Sequence, residues 1–227
     1  MKVIIFGATG MVGQGVLREC LLDPGVEGVL AVGRRETGKR DNKLRELVHK
    51  DFTDYSTIED KLAGYDACFF CLGVSAVGMS EKDYAHVTYD FTMAAARTLA
   101  RLNPAMTFVY VSGMGTDSTE HGRLMWARVK GRTENDLLKL PFKATFMFRP
   151  GFIQPMHGES SSTWMTRTFN TVSGPIFPIL KALLPSYVTT TELVGRAMIH
   201  VARQGAAKKV LENQDINAIV GSEKNSG

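Results

Sequence analysis

Cysteine is scarce, with three in 227 residues, and a disulfide-built secreted scaffold is thereby excluded. Cys68 and Cys71 do stand in C-x-x-C spacing, but inside the strand-like run Ala67-Cys68-Phe69-Phe70-Cys71-Leu72. Positions three apart on a strand face opposite sides, so the spacing points to core packing and not to a redox pair. No apolar run reaches the roughly 20 residues of a membrane helix. The most apolar neighbourhood, Val172 to Val188, is broken by Gly174, Pro175, Pro178, Lys181 and Pro185. The chain enters Met1-Lys2-Val3-Ile4-Ile5-Phe6 without the charged leader, apolar stretch and small-residue site of an export signal, so a cytoplasmic location is expected. Lys and Arg number 27 against 23 Asp and Glu, yet they are dispersed, and nucleic-acid binding is not expected. Gly-Lys-Ser/Thr and Gly-x-Ser-x-Gly are both missing, which removes the phosphate loop of nucleotide triphosphatases and the commonest hydrolase elbow. No His or acid pair has metal-ligand spacing, so no metal site is expected.

What is present suits one large core: 44% of the residues are hydrophobic, enough for a single domain of this length. Strand-like runs near residues 2 to 6, 28 to 32, 46 to 50, 66 to 72, 106 to 111 and 144 to 148 alternate with helical patterns. Such alternation predicts an α/β fold of the Rossmann type, a doubly wound, mostly parallel sheet with helices on both faces. One helix opens at Ser80 with Asp83 three residues on, carries Tyr84, Val87, Phe91, Ala94, Ala95, Leu99 and Leu102 on one stripe, and stops at Asn103-Pro104. Others are expected from about 123 to 140 and from 191 to 204, the last ending at Gly205. Residues 1–150 read as the nucleotide-binding core of a single domain spanning 1–220. Residues 151–220, rich in Pro, Gly, Ser and Thr as far as 190, read as a small C-terminal substrate lobe or lid, and 221–227 as a disordered tail.

The first strand runs into Gly7-Ala8-Thr9-Gly10-Met11-Val12-Gly13, and a helical pattern follows. A tight turn, close approach of backbone N–H groups to a pyrophosphate, and close helix–strand packing each require a glycine, so this context predicts a dinucleotide site. About twenty residues further on, where an acidic residue would hold the ribose diol of NAD, the second strand ends in Val32-Gly33-Arg34-Arg35. Two arginines suit a 2'-phosphate and favour NADP(H); they read equally as solvated charges, and Glu36 keeps NAD(H) possible. At Lys50-Asp51-Phe52 the Asp51 carboxylate is placed either to accept from the adenine amino group or to cap local structure. Cys71-Leu72-Gly73 closes the fourth strand at the edge where a bound cofactor continues.

With these residues the chain resembles the extended or atypical short-chain dehydrogenase/reductase superfamily, and more narrowly the Tat-interacting-protein-like NAD(P)-binding oxidoreductases. The likeness rests on Gly7-x-x-Gly10-x-x-Gly13, Val32-Gly33-Arg34-Arg35, Phe70-Cys71-Leu72-Gly73, Val129-Lys130-Gly131 and Phe148-Arg149-Pro150-Gly151, in that order, and covers residues 1 to about 155. It implies a Ser, Tyr and Lys site in which Lys holds the ribose and lowers the Tyr pKa, Tyr passes a proton, and Ser orients the substrate oxygen. Ser112 takes the serine place and Lys130 the lysine place, but the tyrosine place holds Trp126 and the asparagine place Thr88. None of the six tyrosines has a lysine four residues later, and an indole N–H is no proton acid near neutrality. Lys130 also reads as an exposed partner of Glu134, and Ser112 as a strand-end cap. As substitute acids, Thr116, His121 and His157 each read first as loop residues.

Three functions are therefore open. The first is an NADP(H)-dependent oxidoreductase acting on a small organic substrate through a degenerate site. The second is a non-catalytic NADP(H)-binding protein that signals to a protein partner, and the third a nucleotide-sugar epimerase. Oligomers are compatible with the helical stripes.

Overall fold

Short runs of β-branched and aromatic residues between glycine and polar turns supply the strands. The computed structural model describes residues 1–158 and 185–224. Its main sheet contains β1 (Lys2–Phe6), β2 (Gly28–Gly33), β3 (Leu44–Val48), β4 (Ala67–Phe70), β5 (Thr107–Val111) and β6 (Ala144–Arg149), joined late in the chain by β9 (Val210–Glu212). The order is β3-β2-β1-β4-β5-β6-β9, with every pairing parallel. The order reverses between β1 and β4, so a crevice opens at the carboxyl ends of these two strands.

Alternation along β1 divides the core. Val3 and Ile5 face one side with Val16 and Leu17, and Ile4 and Phe6 face the other with Met93, Leu99 and Leu137. Helices on both faces leave all four of these β1 side chains fully buried, as a central parallel strand demands. The first face is covered by α1 (Met11–Leu22). Beyond the short α2 (Glu59–Leu62), the second is covered by α3 (Glu81–Ala85), α4 (Phe91–Leu102) and α5 (Met125–Leu137). Ser80 caps α3 as expected, its Oγ accepting from Asp83 N at 3.1 Å. A π turn, His86–Asp90, joins α3 to α4, and Thr88 lies buried within it. Asn103 ends α4.

The later chain departs from its sequence pattern. A separate parallel pair, β7 (Phe152–Gln154) and β8 (Val188–Thr190), stands beside the crevice. The chain then returns to the main body through α6 (Thr191–Gln204), β9 and α7 (Asn213–Lys224). Gly205 ends α6 at the expected place, with a positive φ of 77° that favours glycine. Neither β9 nor α7 was legible, because β9 has three residues and only Ile216, Ile219 and Val220 of α7 reach the core. A disordered tail from Gly221 does not stand, since α7 continues to Lys224; residues 225–227 lie outside the described residues. So do 159–184, which hold most of the expected lid.

Candidate cofactor and active site

The glycine turn has the dimensions the sequence requires. Gly7 has φ 81°, and a Cβ there would stand 2.7 Å from Leu72 N and 2.8 Å from Cys71 C. A Cβ on Gly13 would come within 2.1 Å of Gly7 O, so no other residue fits either position. Gly10 N donates to Gly7 O at 2.9 Å, closing the turn. Gly10, Met11 and Val12 then start α1 with no side chain capping its first N–H groups. Those groups remain available to an anion. Gln14, which the sequence did not single out, braces the turn by donating from Nε2 to Thr9 O at 2.9 Å. The structure thus packs Gly7, Gly13, Cys71 and Leu72 together at the switch point, and the cradle fits a dinucleotide.

Beside this cradle lies a cavity of about 550 Å³. Ala8, Thr9 and Gln14 line one wall, and Arg35, Glu36, Thr37, Gly38 and Lys39 the other. Arg34 is exposed at the same turn but does not line the cavity. Arg18, from the outer face of α1, adds a cation and is held by Glu19. Asp51 Oδ1 accepts from Thr53 N at 2.9 Å and from Thr53 Oγ1 at 2.6 Å. These bonds hold its carboxyl below the usual carboxylate range, and Asp51 stays exposed at the end of the loop after β3. The Phe52 ring is in the aromatic core, edge-on to Phe6 with centroids 6.4 Å apart, which leaves only its main chain to meet a ligand.

At the carboxyl end of β5 lie the residues that the resemblance singled out. Ser112 is buried, and its Oγ donates to Glu134 Oε1 at 2.5 Å and lies 3.1 Å from Phe148 O. Glu134, one turn beyond Lys130, is buried and not the exposed ion-pair partner that the i+4 spacing allowed. Its side chain is 1% exposed and accepts from Arg149 Nε at 3.1 Å and from Arg149 Nη2. Arg149 continues to Glu212 Oε1 at 3.2 Å and to Ser118 Oγ at 2.6 Å. Lys130 Nζ donates to the main-chain oxygen of Ser112. Burial pulls its ammonium pKa down to about 8, with the Glu134 charge opposing the shift.

Trp126, half-buried one turn before Lys130, rests against the same loop: its Cη2 is 3.3 Å from where a Cβ on Gly115 would stand. Each substitute acid has a partner of its own, and of the three His157 lines the cavity beside the cradle. Thr116 Oγ1 donates to Gly113 O at 2.7 Å, His121 is exposed with its N–H on Thr119 Oγ1, and His157 Nε2 is 3.2 Å from Glu192 Oε2. Cys71 and Cys68 are free thiols whose pKa values are raised by burial, Cys71 to about 12, so C-x-x-C is packing. Among the described residues no group of three or more His, Cys, Asp or Glu side chains is placed to hold a metal ion. None of the described helices is long and apolar enough to cross a membrane.

Residues 3–121 match the model of the NAD dependent epimerase/dehydratase family. The chain belongs to that family. Its fold is the NAD-binding Rossmann fold of that family. Protein HTATIP2 of Rattus norvegicus is 24% identical over 92% of each chain. Protein FMP52 of Debaryomyces hansenii is 27% identical over 90% of this chain and 88% of its own. Among solved structures, the Bordetella bronchiseptica enzyme WbmF in complex with NAD+ superposes with a TM-score of 0.68 at 16% identity, covering 100% of this chain and 79% of that one. A short-chain oxidoreductase from Burkholderia thailandensis gives 0.66 at 16% identity, covering 100% and 97%; at such identity these likenesses speak for the fold alone. The expected cytoplasmic location is overturned, because several of the yeast relatives are mitochondrial proteins by name.

Proposed function

We propose that this chain is an NADP(H)-dependent oxidoreductase for a small organic substrate, with an active site that has dispensed with the tyrosine acid. The observation that carries the cofactor preference is the cavity between Thr9 and Arg35, where the loop after β2 offers Arg35, Thr37 and Lys39 to a 2'-phosphate. The free N–H groups after Gly10 would receive the pyrophosphate. Lys130, pinned by Ser112 O, would hold the ribose, and the main chain of Leu72 and Gly73 would pass beside it. A bound nicotinamide supplies hydride. The stretch from Gly151 to Gln154 would face the substrate, and Trp126 would form an apolar wall beside the reacting ring. Proton transfer falls to water.

A second reading is favoured by the commitment of Ser112 to Glu134: a non-catalytic NADP(H)-binding protein whose occupancy alters contacts with a protein partner. Calorimetry of NADPH and NADH against the purified protein and Arg35→Glu tests what both share. NADPH should bind at least about tenfold more tightly than NADH, and Arg35→Glu should remove that margin, the loss expected for a charge-assisted bond of about 1.5–3 kcal/mol. Equal binding of both nucleotides, unchanged in the variant, would refute the NADP preference. A screen of acceptors with NADPH then separates enzyme from binding protein.

A further inference from the structure

The loops that follow β4, β5 and β6 are neighbours at the carboxyl edge of the sheet, because their strands are adjacent in it. Their content is unusual for surface loops. After β4 the chain reads Gly73-Val74-Ser75-Ala76-Val77-Gly78-Met79 with no charged residue, and Val77 is 72% exposed. After β5 comes Met114, 37% exposed, whose N–H is bonded to Pro150 O at 2.9 Å. That bond sets Met114 beside the turn that leads into Phe152, itself 46% exposed. The main chain of Tyr187 lies against Gly151, 2.2 Å from where a Cβ would stand, so the exposed Tyr187 belongs to the same rim. Trp126 closes the inner side through its contact with Gly115.

Among the described residues, the cations nearest the ends of β5 and β6 are in use, while Arg123 stands exposed further along the loop after β5. Arg149 is held by Glu134 and Glu212, Arg128 by Glu81 and the carbonyl of Gly122, and Lys130 by Ser112 O. A nucleotide sugar or a carboxylate would meet exposed hydrocarbon and aromatic rings where its charge needs arginine or lysine. A flat, neutral molecule would bury this rim and stack on its rings.

We propose that the substrate of this site is a neutral quinone. The inference rests on the oxidoreductase reading and adds its acceptor. A quinone takes up two electrons and two protons: the electrons and one proton arrive as hydride from the reduced nicotinamide cofactor, and the other proton comes from water. The carbonyl double bonds become phenolic C–O single bonds, hydroquinone leaves, and the cofactor is left oxidised. The missing acid is tolerable for this acceptor. A phenolic oxygen has a pKa of about 10, as in tyrosine, so the hydroquinone anion forms without a protein donor, whereas an alkoxide, with a conjugate acid nearer to water at about 15.7, needs one.

Equilibrium dialysis of a neutral naphthoquinone and of its sulfonated analogue, with and without NADP+, tests this on the wild-type chain and on Phe152→Asp and Val77→Asp. The neutral quinone should bind at least about tenfold more tightly than the sulfonate, and each aspartate should weaken it by about tenfold or more, the scale set by burying one large apolar side chain. Calorimetry should give the same NADP+ affinity for all three chains. Sulfonate binding equal to or tighter than the neutral quinone, or variants that bind quinone as the wild type does, would overturn the proposal. Quinone retention by a chain that fails to bind NADP+ would support the ligand class and sink the redox reading instead.

Discussion

Ser112 and Glu134 are joined by a 2.5 Å hydrogen bond beneath the carboxyl end of β5, with the serine hydroxyl donating to the carboxylate. A hydroxyl already given to a buried anion has no proton left for a substrate oxygen. The same carboxylate receives Arg149 from the end of β6, and Arg149 reaches Glu212 on β9. One acid therefore ties β5, α5 and two further strands of the sheet at the point where the crevice opens. The Phe148-Arg149-Pro150-Gly151 turn gains a physical meaning from this, since its arginine neutralises the charge that fixes Ser112.

Breaking this pair should be costly. Glu134→Ala leaves the Arg149 side chain, 11% exposed, with only the half-exposed Glu212 carboxylate at 3.2 Å to offset its charge, and the expected loss is about 3 kcal/mol of unfolding free energy, the low end for a broken buried pair. Urea denaturation measures it. A loss below about 1 kcal/mol would mean that Arg149 finds water or another acid and that the network is peripheral.

Lys130 supplies a prediction with a defined sign. Its folded pKa is pulled to about 8 from the ordinary 10.5 by burial. Between those values the unfolded chain binds more protons, so the contribution of Lys130 to stability rises with pH across that window. Below about pH 8 the full penalty of the buried ammonium is present; above 10.5 it is gone. Lys130→Met should accordingly be more stable than the wild type at pH 7, and the advantage should shrink steadily between pH 8 and 10. Denaturation curves at several pH values read it directly, and a difference independent of pH would show that packing and not charge governs this position.

The nucleotide half was legible because its signals are local. The glycines at 7, 10 and 13 carry steric requirements that sequence spacing alone encodes, and Ser80, Asn103 and Gly205 punctuate helices by their own chemistry. Glu134 and Arg149 were not legible as partners, since they are separated along the chain and meet only when β5 and β6 pair. Four residues from Lys130, Glu134 looked like a surface partner, although it falls on the same buried stripe of α5 as Ala127 and Leu137. That stripe was the available signal. β9 escaped notice for a related reason: three residues gain strand identity only from β6 beside them.

The cysteines offer an independent check of the fold. Cys20, Cys68 and Cys71 are free, and burial raises all three thiol pKa values. Since the thiolate is the reacting form, iodoacetamide at pH 7.5 should leave the native chain unlabelled over a time in which the urea-unfolded chain takes three labels. Intact mass resolves the two. Rapid labelling at Cys71 in the native chain would show that the end of β4 opens, and the contact between Gly7 and Leu72 would have to open with it.

The tyrosine place allows the strongest functional test. Trp126 precedes Lys130 by one helical turn, so Trp126→Tyr restores a phenol above an ammonium already set at the edge of the crevice. A positioned acid contributes about 100-fold to 10,000-fold. Ser112 remains bound to Glu134 and cannot orient the carbonyl, so the gain in NADPH-dependent reduction of a simple aromatic ketone should lie near 100-fold. The quinone reaction, which needs no acid, should change by less than about tenfold. Initial rates with both acceptors give the ratio. A ketone gain with an unmoved quinone rate would locate the missing chemistry at this one side chain; an unmoved ketone rate would place Lys130 out of reach of the phenol and favour the binding role.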